Sequence, residues 1–169
     1  MKKIEVKRNE IFSFPQEVIK EYGFFEIRKQ IEASAKIIKF SISDLMFFSP
    51  PSGDAMIRAS EFQKMVLREG YVPLDSYCAK AIYENREALK ELDYLWYNST
   101  KNRRENKLDS IMFLGDIVVR DFSDVDHFSF FKFHFMSDEI NFMPFEDDPA
   151  FTRNRDFILV FKQEFISKL

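Results

Sequence analysis

The chain has one cysteine, Cys78, in 169 residues. No disulfide can close within it, which excludes a stapled secreted scaffold. Only 4 glycines are present, and none belongs to a phosphate-binding glycine loop. The catalytic signatures GxSxG, HExxH and CxxC are missing as well. No apolar run approaches the roughly 18 residues of a membrane span. The basic start, Met1 to Arg8, leads into no apolar stretch and reads as no secretory signal. The expected location is the cytoplasm, without a membrane partner. The length fits a single domain, 1–169, and suffices to bury a core without disulfides or metals.

What the chain has in excess is phenylalanine, 21 residues. Phe, Ile, Lys and Asn over Gly is partly the product of an AT-rich coding genome, bacterial or phage. The rest is physical, because each phenylalanine buries a large apolar area. The net charge of -3 is too small to argue for a polyanion partner. Its distribution is uneven. Residues 108–152 hold ten acids against Arg120 and Lys132, so that segment carries -8.

The hydrophobic period changes along the chain. Ile4 and Val6 alternate with charges, as in a short edge strand. Pro15 opens a helix that Gly23 ends. Phe24, Ile27, Ile31, Ala35 and Ile38 share one helical face, predicting a second helix over 24–38. Its end is open, since Ile38, Phe40 and Ile42 alternate like a strand. The breaker Ser49-Pro50-Pro51-Ser52-Gly53 precedes a helix capped near Ser52 or Asp54 and closed by Gly70. Pro73 and Asp75 open the next, with a break at Asn85. Asn98 to Lys107 is a polar loop.

Beyond it the period is two. Ile111, Phe113, Ile117 and Val119 share a parity. Strands follow at Phe128 to Met136, Ile140 to Phe145 and Phe157 to Phe161. Short polar turns between strands predict an antiparallel meander. The expected fold is α+β: N-terminal helices, about 1–107, packed on a C-terminal antiparallel meander of three to four strands, about 108–169.

The segment from Asp121 to His127 gathers three carboxylates and an imidazole. With Asp116 it suggests a metal-dependent hydrolase using Asp116, Asp124, Asp126 and His127. Against this, Asp and Ser are ordinary turn residues, and no calcium-loop spacing is present. His127 and His134 are seven apart, so on one strand they face opposite ways. Neither a metal nor a cofactor is expected.

The strand from Phe128 is more informative. Phe128, Phe130 and His134 lie on one face, and Phe131, Phe133 and Phe135 on the other. Either the sheet is covered on both sides or one face is a binding surface. Aromatic faces also stack bases in RNA-binding modules, but the acidity here opposes phosphate. Trp96 and Tyr97 sit where a helix meets the polar loop and add candidate anchors.

The leading expectation is a non-catalytic protein-binding module, such as an inhibitor, an immunity-type protein or an adaptor. It would use Phe128, Phe130, His134, Trp96, Tyr97, Asp124 and Asp126 on an acid-bordered sheet surface. The expected partner is another protein with a basic surface, or a second copy of the chain. The alternatives are the hydrolase and a pocket for a small apolar ligand.

Overall fold

A computed structural model describes residues 2–48, 57–99, 110–120, 123–133, 139–147 and 156–169. In chain order it places β1 (Ile4–Glu5), α1 (Gln16–Tyr22), β2 (Phe25–Gln30), α2 (Glu32–Ala35), β3 (Lys39–Phe40), β4 (Leu45–Phe48) and α3 (Ala59–Arg68). Then come β5 (Val72–Pro73), α4 (Ser76–Tyr83), α5 (Arg86–Ser99), β6 (Ser110–Arg120), β7 (His127–Phe133), β8 (Ile140–Glu146), β9 (Asp156–Phe161) and α6 (Gln163–Ile166).

The α+β class holds, but the finer expectation fails in three respects. The main sheet is mixed and has seven strands. Strands and helices interleave along the chain instead of separating into halves. The meander covers only β6, β7 and β8; β9 returns to pair in parallel with β6. β9 can occupy the sheet interior because Phe157 to Phe161 is apolar at every position, as burial on both faces demands.

The strand at 25–30 replaces most of the helix predicted over 24–38, of which only the short α2, Glu32–Ala35, is helical. Phe24 and Ile38, which gave that helix its period, are exposed at 65% and 69%. Phe25 turns inward instead, between Phe14 and His127. Pairing with β6 overrides the local pattern: Phe25 faces Arg120 and Ile27 faces Val118. The punctuation of the sequence is better kept. Gly23 and Gly70 follow their helices at φ 86° and 83°, values that favour glycine. The Asp75 side chain accepts from the Cys78 N–H and caps α4. The Asn85 side chain caps the next helix through the Ala88 N–H. The helix that Gly70 closes starts at Ala59 with Arg58 at the cap position, later than the start expected near Ser52 or Asp54; residues 49–56 and the polar loop beyond Ser99 lie outside the described residues.

The sheet forks at β6. Its first residues pair with β9, Ile111 opposite Phe157. Further on, β9 pairs with β5 and β6 pairs with β2, so β5 and β2 fill the opening between them. Gly115 sits in the fork. Its N–H donates to the Leu74 carbonyl at 2.9 Å, and its carbonyl accepts from the Ile31 N–H at 2.8 Å. A Cβ there would lie 2.6 Å from the backbone nitrogen of Asp75. Only glycine lets the start of α4 come so close.

The same point breaks the parity of β6. The pairing with β7 jumps from Phe113–Ser129 to Val118–His127, a large bulge. Ile111, Phe113 and Val118 therefore share one face, and Met112, Leu114 and Ile117 the other. The predicted common face of Ile111, Phe113, Ile117 and Val119 is corrected accordingly.

Both faces of the sheet are covered. α3 lays Phe62 and Val66 over Met112, Leu114, Phe128 and Ile158. On the other side α4, α5 and the N-terminal segment enclose a larger core. There Phe113, Phe131 and Phe142 meet edge to face, with Phe113 and Phe131 centroids 4.6 Å apart. Such contacts each add about 0.5–1.5 kcal/mol beyond area burial.

Candidate functional site

Two places gather groups that could do chemistry or recognition. The first is a polar node beneath the start of α4. Arg8 reaches in from the N-terminal segment. Its Nη1 donates to Asp75 Oδ2 at 2.7 Å, its Nη2 to the Ser34 carbonyl at 2.7 Å and its Nε to the Ile37 carbonyl at 2.6 Å. Behind Asp75, the Ser76 Oγ donates to Asp116 Oδ1 at 2.7 Å and the Ser76 N–H to Oδ2 at 3.1 Å. The Ser76 and Ser129 hydroxyls lie 2.8 Å apart. Asp75, Ser76, Asp116 and Ser129 are all buried.

Burial pushes the Asp116 carboxyl up to about 8, and the nearby Asp75 charge adds to it; the Ser76 donors and Arg8 pull the other way. The balance favours the protonated form of Asp116 over a wider pH range than for an exposed carboxyl. Burial also works against the charge on Arg8, but Asp75 outweighs it and the guanidinium binds its proton more tightly than usual. The Cys78 thiol is held well above its ordinary value by burial, and is no nucleophile. The node ties together the N-terminal segment, the residues around α2, the start of α4, β6 and β7. It offers no surface to a substrate.

The second place is a groove of about 450 Å³ on the surface. Residues 9–12, residues 24–27 and Tyr77 line it. The Tyr77 hydroxyl donates to the Glu10 carbonyl at 2.8 Å and holds residues 9–12 in place. Phe12 and Phe14 pack inward on Phe142 and anchor them further. That leaves Ile11 outside, 93% exposed; Phe24, on the same groove, is 65% exposed. A second groove of about 420 Å³ shares Glu10, Ile11 and Tyr77 with the first and is also lined by Lys3, Lys7, Lys80, Glu5 and Glu84.

The residues singled out from the sequence do not converge. Phe128 is wholly buried under α3, and Phe130 is half-buried on Phe145. Trp96 is buried against Phe47 and Phe157. Side chains so placed offer a partner little in this conformation. Tyr97 and Asp124 are exposed, and His134 lies outside the described residues. Asp126 is ion-paired with Arg28. His127 is buried edge-on to Phe25, with Nδ1 3.0 Å from the Val125 carbonyl. Asp116 faces the interior and is no neighbour of that turn. Among the described residues, no three His, Cys, Asp or Glu side chains are grouped to hold a metal ion. No helix among them is long and apolar enough to cross a membrane.

Arg8 and Ile11 escaped the sequence reading. One signal for the node was available: Asp116 is an acid set in an otherwise apolar strand, where only a buried partner makes it affordable. No comparable signal marked Ile11, since its exposure depends on where Phe12 and Phe14 anchor. Comparison with protein-family profiles, with curated proteins and with solved structures finds no match for this chain.

Proposed function

We propose that the chain is a non-catalytic protein-binding module, an inhibitor, immunity-type protein or adaptor, that meets its partner at the groove between Ile11 and Phe24. One observation carries this reading. Two large apolar side chains that line one groove stand exposed, at 93% and 65%, in a chain that buries most of its aromatic sheet. Paired exposed apolar groups of this kind mark contact surfaces. The partner has a basic surface: Glu10 and Glu26 line the groove, and the excess of acids over 108–152 would favour encounter with a positive protein.

The test is capture of interacting proteins with three forms of the chain. The unaltered chain and a Tyr94→Asp control should recover the same protein, because Tyr94 is an exposed residue of α5. The double variant Ile11→Asp, Phe24→Asp should lose it by tenfold or more. Equal recovery by all three forms, or recovery of nothing, sinks the reading.

A further inference from the structure

The groove borders an open strand edge, and that edge says what kind of segment fits. Residues 24–27 are consecutive, yet all four line the groove. Successive residues of a strand point to opposite faces, so consecutive lining residues mean that the strand presents its edge. One edge of β2 pairs with β6. Among the described residues no strand pairs with the other. Against β6 the register of β2 slips between Ile27 and Lys29, so the strand runs regularly only up to Ile27, where the groove lining also ends.

Charge decides which segment is welcome. Glu10 and Glu26 contribute to the lining, and no lysine or arginine does. Lys7 approaches Glu10 only at 3.9 Å, with both side chains well exposed, and such a pair is worth little. Ile11 and Phe24 supply apolar area between the two acids.

Building on the binding reading above, the geometry points to strand addition: the groove takes an extended segment of a partner protein, pairing with Phe24–Ile27. That segment carries lysine or arginine beside an apolar residue. Main-chain hydrogen bonds to the β2 edge give affinity. Ile11 and Phe24 clamp the apolar side chain, while Glu10 and Glu26 select the cation. Bare strand edges otherwise invite indiscriminate pairing, and the register slip after Ile27 limits how much of this one is usable.

The test titrates the isotope-labelled full chain with a blocked heptapeptide alternating lysine and valine, and with its glutamate–valine counterpart. The lysine peptide should shift the amides of Phe24–Ile27 and slow their exchange with solvent. The glutamate peptide should not. Glu10→Gln with Glu26→Gln, both at exposed positions, should weaken the lysine peptide at least tenfold, and added salt should do the same. Equal binding of the two peptides, shifts centred elsewhere, or no response at millimolar peptide overturns strand addition. So does a dimer in which these amides are already protected, since a second copy would then fill the edge. If the peptides fail while the Ile11→Asp, Phe24→Asp variant still loses its captured protein, strand addition falls and the binding reading stands. If that variant loses nothing, both fall.

Discussion

β2 and β7 flank the same strand, β6, on its two sides, and they could hardly be used more differently. β7 is enclosed. Phe128, Ser129 and Phe131 have no exposed surface, and Phe130 and Phe133 are half-covered. β2 is a margin. Beyond Phe25 its side chains are exposed except for the half-buried Ile27, and Phe24 beside it is mostly in solvent. The aromatic strand looks like the binding surface when read alone, yet it belongs to the core. The strand with few aromatics carries an open edge beside exposed apolar side chains. Density of phenylalanine therefore reports how much must be buried here. A few apolar residues left uncovered report where contact can occur.

Substituting within β7 should separate the two strands most widely. Phe131→Ala empties a site between Phe113 and Phe142 and should cost about 3–5 kcal/mol. Phe24→Ala at the margin should cost less than about 0.5 kcal/mol. Urea unfolding measures both, and similar losses would erase the distinction.

The pH dependence probes the interior side of the comparison, because Ser129 of β7 closes the node around Asp116. The folded chain raises that carboxyl from 3.8 to about 8, so it holds the proton more tightly than the unfolded chain. The stability this supplies is full below about pH 4 and is lost as pH rises through about 8. Asp116→Asn keeps a neutral group of the same shape. Its stability should nearly match the parent near pH 4. It should then gain on the parent by up to about 1.4 kcal/mol per pH unit toward pH 8. Parallel urea curves across that range would remove the buried proton from the account.

The smallest effect belongs to the tie between the two strands' surroundings, the exposed pair of Arg28 in β2 with Asp126 before β7. Arg28→Ala should cost less than about 1 kcal/mol, and high salt should shrink the difference further. A larger, salt-independent loss would mean that β2 is held by more than its pairing with β6.

Local features that depend on neighbouring residues were legible in the sequence. Gly23 and Gly70 end helices because their backbones take φ values that other residues resist. Asp75 opens α4 because its carboxylate caps the first turn. The strands near 111, 128, 140 and 157 were placed because alternation and apolar runs are local patterns. The tertiary structure decided what depends on distant partners. β2 is a strand because β6 offered it an edge, against a helical spacing that Phe24 and Ile38 imitated. β9 leaves the meander because its wholly apolar run needs cover on both faces. Asp116 left the acidic turn for the interior because Gly115 admits the start of α4. Ile11 is exposed because its neighbours anchor elsewhere. Sequence by itself set the local conformations and the amount of apolar surface to bury. Only the packing of segments far apart in the chain chose which of that surface stayed outside.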